Sequence, residues 1–221
     1  MRNVFPALLG LAAAALAFTS CQDSDRIPAP AVISVPLILP TLTADSDTLF
    51  NYQRTQASDN ILRTLSNPTR PVVKFTINLP DQRDVKIKAV QVYKSFRTGS
   101  LSALGPRALA GEYTTFPATV ALNSSEVLTD LLRYTPPTPP ATAGLVRPIK
   151  ATTPAQANSV FPGSQILFTF EYVLEDGRHI ILTPLNTISA SLVGSTDAPA
   201  TYDVVTGTQV NAPYAITMRI Q

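Results

Sequence analysis

The chain has 221 residues, with 17 basic against 15 acidic side chains, one histidine, one cysteine and no tryptophan. A single Cys and a single His exclude a tetrahedral zinc site built from those ligands, so no metal or other cofactor is expected. The scattered Lys and Arg exclude the clustered cationic face or run that nucleic-acid binding requires. Charged residues make up 14% of the chain, against roughly 25% in an ordinary globular domain, so solubility rests on hydroxyl groups more than on charge.

Residues 1–25 read MRNVFPALLGLAAAALAFTSCQDSD. One Arg is followed by an apolar run from Val4 to Phe18, then Thr19, Ser20 and the lone Cys21. The run is shorter than the roughly 20 apolar residues of a membrane span and stops at small residues, as a cleaved leader does. The layout is that of a bacterial lipoprotein signal: cleavage before Cys21 leaves an N-terminal cysteine whose thiol carries a diacylglycerol. Lipidation also accounts for an unpaired thiol in an exported chain. Phe18 departs from the Leu usual three residues before that cysteine. Gln22-Asp23-Ser24-Asp25 resembles the short acidic signal that directs Bacteroidota lipoproteins to the outer face of the outer membrane. The expected divisions are a signal peptide over 1–20, a lipidated cysteine and proline-stiffened tether over 21–35, and a β-domain over 36–221.

Beyond the tether, turn residues recur every 8 to 15 positions and the segments between them favour strands. In residues 71–79, Val73, Phe75, Ile77 and Leu79 alternate with Val72, Lys74, Thr76 and Asn78. Period two with apolar residues on one side predicts a half-buried strand. Residues 85–96 continue in β, but the apolar face changes phase between Val85 and Ile87 and the later Val90, Val92 and Phe96. That change predicts a bulge near residues 88–90. A hairpin is predicted over 166–183, with Ile166, Phe168, Phe170, Tyr172 and Leu174 on one face and Gly177 in the turn. Residues 116–122, 202–205 and 215–220 read as further strands.

One helix of about ten residues is predicted after Asn123, capped by Ser124 or Ser125, with Glu126 in its first turn. Val127, Leu128, Leu131 and Leu132 fall on its apolar face. The prolines from Pro136 to Pro140 end it. Residues 135–163 then form a long proline-rich excursion, read as leaving and returning to one sandwich in preference to separating two domains.

Candidate chemistry is sparse. His179, the lone histidine, follows a turn and reads as a packed or solvent-facing ring. No Gly-x-Ser-x-Gly elbow occurs, and a lipidated Cys21 leaves no thiol nucleophile. Carboxylate pairs of the kind glycoside hydrolysis uses have structural explanations: Glu126 and Asp130 share the helix, Glu175 and Asp176 share a turn, and Glu171 lies on the outer face of its strand. Asp45-Ser46-Asp47 has calcium-loop spacing but lacks the later glycine and glutamate, and reads as a loop. No catalytic residue is therefore assigned and the chain is not expected to be an enzyme. Sugar binding needs exposed aromatic rings, and Tyr113, Tyr134 and Tyr202 fall at loop or element ends where such a platform can form. Tyr93 and Tyr172 fit strand faces.

The strand at 85–96, Phe116-Pro117-Ala118-Thr119-Val120 before the capped helix, and the hairpin from Phe161-Pro162-Gly163-Ser164 to Glu175-Asp176-Gly177-Arg178 resemble the immunoglobulin-like β-sandwich of Bacteroidota surface lipoproteins. Many of these accompany Sus-type, starch-utilisation-like transporters. The likeness spans about residues 70–185. Gly163 is followed by Ser164, where that family commonly has Gly-Asp. The resemblance implies an all-β, mainly antiparallel fold with one short helix. It also implies a lipid-anchored accessory role at the cell surface beside a TonB-dependent transporter or its lipoprotein partner, in glycan uptake. A stand-alone carbohydrate-binding module and a structural or adhesive envelope protein are the alternatives.

Overall fold

The computed structural model describes residues 36–38, 40–47, 49–50, 72–79, 84–99, 104–149, 163–206 and 215–220. The leader, Cys21 and the tether lie outside the described residues. The fold is all-β and mainly antiparallel with one short helix, arranged as a sandwich with a further sheet. The strands are β1 (Thr41–Leu42), β2 (Leu49–Phe50), β3 (Val72–Ile77), β4 (Ile87–Arg97), β5 (Ala108–Tyr113), β6 (Ala118–Asn123), β7 (Leu132–Thr135), β8 (Gly144–Pro148), β9 (Gln165–Leu174), β10 (His179–Ile181), β11 (Leu185–Leu192), β12 (Ala200–Val205) and β13 (Ala215–Ile220). Helix α1 spans Ser124–Leu128.

Three sheets form: β1-β3-β6; β2-β13-β9-β4-β5, with β10 paired to the C-terminal end of β9, beyond the part that β13 pairs; and β12-β11-β8-β7. Two pairs are parallel, β2 with β13 and β8 with β11. The main core lies between the first two sheets. Val73, Phe75 and Ile77 of β3 meet Val90, Val92 and Phe96 of β4 and the even-numbered residues of β9, all almost fully buried. The Phe75 ring sits 5.7 Å from that of Phe168 and 6.0 Å, edge-on, from that of Phe170. Apolar alternation in both strands buries one face of each, and the rings interlock where the faces meet.

Several predicted features are present. The β4–β9 register shifts between Ile87 and Ala89, which lets Ile87 and Val90 both face the core. A second shift occurs against β5 after Val92. Gly177 takes φ +83° in the β9–β10 turn, a conformation that costs L side chains energy.

The helix differs from expectation. Its cap is Asn123, whose side chain accepts from Glu126 N at 2.9 Å while Glu126 Oε2 accepts from Asn123 N at 2.8 Å, a reciprocal capping box. It lasts five residues, because Thr129 turns extended and Asp130 takes φ 58°. Leu131 still enters the core, but Leu132 starts β7. The excursion at 135–163 is also corrected in part: β8 pairs antiparallel with β7 inside it, while residues 150–162 lie outside the described residues. Leu132–Thr135 and Gly144–Pro148 thereby anchor the third sheet, to which β11 and β12 add. Strands β1, β2, β5, β7, β8 and β11 are additions to the sequence reading.

Two polar groups work inside the core. Lys94 is opposite Phe168 and so points inward. It is 4% exposed, and its Nζ donates to the Glu126 carbonyl, tying α1 to the six-stranded sheet. The Tyr172 hydroxyl accepts from Ile38 N at 2.8 Å and donates to Pro36 O at 2.5 Å. Burial pushes its pKa up to about 12.

Candidate functional site

The outer face of the six-stranded sheet holds the densest set of titratable side chains. Strand β9 is buried on both faces: its odd-numbered Leu167, Thr169 and Glu171 are covered as well as its core-facing residues. Leu167 joins Leu104, Val205 and Ala215 in a second apolar cluster with Leu185 against it, where the four-stranded sheet lies over the six-stranded one. Glu171, with its side chain 5% exposed, therefore needs charge partners.

It has two. Arg107, just before β5, donates from Nη1 to Glu171 Oε2 at 2.6 Å. His179 on β10 pairs through Nδ1 with Oε1. The Arg107 guanidinium lies 4.1 Å above the Tyr93 ring and 3.9 Å from Asp203 Oδ2 on β12. Arg107 N also donates to Asp203 O at 3.0 Å. The network continues from Tyr93 Oη to Gln91 Oε1 at 2.9 Å, and from Gln91 Nε2 to Glu112 Oε2 at 2.7 Å. Burial, then the Glu171 charge, pushes the Tyr93 phenol up.

This arrangement joins sheets. One guanidinium stacks on β4, bonds β9 and reaches β12, with the planar fork and aromatic stacking that Arg provides and Lys does not. Both Glu171 oxygens are occupied. His179 is 45% exposed on its side chain and fixed by its ring nitrogen to the buried carboxylate. The sequence reading placed Glu171 on the outer face, as found, but missed its burial and missed Arg107. The available signal was Glu171 inside the otherwise apolar run ILFTFEYVL, since such a run is a strand covered on both sides.

The three candidate tyrosines do not form one platform. Tyr113 ends β5 opposite Val90, half-buried against the main core, and burial pushes its phenol up. Tyr134 and Tyr202 do share a face of the third sheet, because register carries Tyr202 to Ile188, Ala190 to Gly144 and Val146 to Tyr134. They stand on its two outermost strands, and Tyr134 packs its ring over Gly144: a Cβ there would lie 2.3 Å from its Cε2. The ring fills the space the glycine leaves, which is a packing role.

The Asp45-Ser46-Asp47 loop is spent on β3. Asp47 Oδ2 accepts from Val72 N and Ser46 Oγ from Lys74 N, both at 2.8 Å, and Asp45 bonds Lys74 Nζ at 2.5 Å. The Lys74 bond holds the Asp45 carboxyl below its usual range. Glu126 is the capping-box acid, and Asp176 bonds Arg178 in the β9–β10 turn, which lowers its pKa. Among the described residues no group of three or more His, Cys, Asp and Glu is placed to hold a metal ion, and no helix is long and apolar enough to cross a membrane.

No protein-family model matches the chain, and no curated protein matches it in sequence.

Proposed function

We propose that the protein is a non-catalytic lipoprotein of the outer-membrane surface, held by a lipid on Cys21 and acting as an accessory subunit of a nutrient-uptake assembly. The address comes from the leader, the tether and the acidic residues after Cys21. The observation that supports a docking role is the four-stranded sheet. One of its faces keeps Leu145, Arg147, Thr187, Ser189, Thr201 and Asp203 exposed, with Leu145 at 44%. Its outermost strands, β12 and β7, are sheet edges, and edges and open faces are surfaces on which protein partners add. The gathered titratable groups are meanwhile satisfied by one another across the two sheets, which favours a binding subunit over a reaction centre.

The test is extraction of the native lipidated protein from outer membranes in mild detergent, followed by mass spectrometry of what travels with it. Stoichiometric recovery of a large β-barrel transporter is expected. Recovery of the protein alone overturns the accessory role. Cys21→Ser should release the chain from the membrane fraction, and retention of that variant overturns the anchor.

A further inference from the structure

We propose that the outer face of the β9–β10 hairpin is a binding site for an iron porphyrin, with Nε2 of His179 as the axial ligand. A carboxylate only accepts hydrogen bonds, so Nδ1 of His179 carries the proton in its bond to Glu171 Oε1. The lone pair of the neutral ring is then on Nε2, on the side away from the buried carboxylate, and the side chain is 45% exposed. Among the described residues the ring's bonded partner is Glu171. A carboxylate on one ring nitrogen is how proteins orient a metal-binding histidine and raise its basicity. A bare ion finds too few donors here, because this is the chain's one histidine and no group of three or more ligating side chains gathers among the described residues. A metal that arrives inside a macrocycle needs only an axial donor.

The surroundings suit such a ligand. Val173 is directly opposite His179 in the ladder and Ile181 directly opposite Glu171, so Val173, Ile181 and the imidazole share one face. Ile181 is 45% exposed and Val173 half-buried, so a flat apolar macrocycle ligated by Nε2 has apolar surface to lie across. On the other side of Val173 stands Ala89 of β4, where the bulge leaves Lys88 exposed. Its flexible ammonium suits the carboxylates that a porphyrin carries at its rim. Glu112, an acid on the same face, is engaged by Gln91. Iron(III) exchanges a bound water for the Nε2 lone pair, and no electron is transferred. The porphyrin is cargo, not a resident group. The site goes beyond the docking role and stands or falls apart from it, because binding is measured without any transporter.

The experiment titrates the full chain in nonionic detergent with iron(III) protoporphyrin and, separately, with the iron-free porphyrin. Absorption gives the affinity. Resonance Raman of the reduced complex reads the iron–imidazole stretch, which iron porphyrin in protein-free micelles does not show. Saturable binding with that stretch is expected, and the iron-free porphyrin should bind about tenfold more weakly, since it offers Nε2 no metal. This comparison is made on the parent chain and depends on no variant folding. His179→Gln should lose the stretch while keeping a cooperative melt, because Arg107 still neutralises Glu171. Lys88→Gln should keep the stretch and weaken binding about threefold, as loss of one exposed ion pair does. Absence of the stretch in the parent, its survival in His179→Gln, equal affinity for the iron-free porphyrin, or unchanged affinity in Lys88→Gln overturns the proposal.

Discussion

Arg107 donates from Nη1 to Oε2 of Glu171 at 2.6 Å, across 64 residues of sequence, and so fastens the approach to β5 onto the centre of β9. Both side chains are largely buried, 14% and 5% exposed. Removing one partner of such a pair strands the other charge. Arg107→Ala should cost about 3 kcal/mol or more in urea unfolding. His179→Ala should cost less, because its ring is near half exposed and Arg107 still neutralises Glu171. Equal losses for the two variants would show that the carboxylate depends on the imidazole as much as on the guanidinium.

The Tyr172 hydroxyl is the hinge pin between the core and residues 36–38. Tyr172→Phe leaves Ile38 N and Pro36 O without that partner and should destabilise by about 1–3 kcal/mol near neutral pH. The pH dependence has a definite sign. The phenol ionises at about 10 when unfolded and at about 12 when folded, so its contribution is complete below pH 10 and declines as pH rises through 12. Wild type should therefore lose up to about 2–3 kcal/mol over that window from this group, and Tyr172→Phe should lose correspondingly less. Unfolding curves at pH 8 and pH 11 check it. Equal slopes for the two proteins would place the alkaline transition elsewhere, with Tyr93 and Tyr113, whose phenols are also raised, the next to substitute.

Phe75 carries the contact between the sandwich sheets. Truncation to Ala opens a cavity facing Phe168 and Phe170 and should cost about 3–5 kcal/mol, whereas Phe75→Leu, which keeps most of the volume, should cost roughly half as much. Thermal or urea denaturation distinguishes them.

Gly105 is where β4, β7 and the approach to β5 come together. Its N donates to Phe96 O at 2.7 Å, and a Cβ at this position would sit 1.9 Å from Leu132 O. Backbone must move to admit even one methyl group. Gly105→Ala should lose about 1–3 kcal/mol, while Gly177→Ala, in open space but at φ +83°, should lose about 1 kcal/mol through backbone strain alone. A neutral Gly105→Ala would show that β7 can slide away from β4.

Asn123→Ala tests the helix cap. Loss of the capping box should cost about 1 kcal/mol, and because Lys94 ties the same short helix to the core, the loss should appear as a lowered midpoint of one cooperative urea transition; a separate early transition would show that the helix unfolds on its own.

Local pattern carried the elements that it can encode. Val73, Phe75 and Ile77, or Ile166 through Leu174, reveal their strands because alternation records which face will be covered, whatever covers it. The phase change around residue 88 revealed a bulge for the same reason. Helix length failed because Leu131 and Leu132 continue the apolar spacing of Val127 and Leu128, while the structure uses them as a turn and a strand. Spacing does not distinguish a helical face from successive residues that reach one core by different routes. The prolines of 136–140 concealed the β7–β8 pair, since proline marks a break without saying whether the chain returns.

The candidate sites divide along the same line. Tyr134 had the right composition for a ligand platform, but whether an aromatic ring is free depends on Gly144, a residue on a neighbouring strand. Asp45, Ser46 and Asp47 had ligand chemistry, and the backbone of β3 took it.

From its sequence alone, the chain determined its strand-rich character, the positive-φ turn at Gly177, an acid in the first turn of its helix, and an N-terminal layout that forms the basis of the proposed anchor. All of these depend on neighbours within a few residues. Tertiary structure alone decided that β9 is covered on both faces, that Arg107 answers Glu171, and that Asp203 of another sheet meets the same guanidinium. Such relationships depend on register and on packing between distant strands, where one residue of slip turns every side chain to the other face.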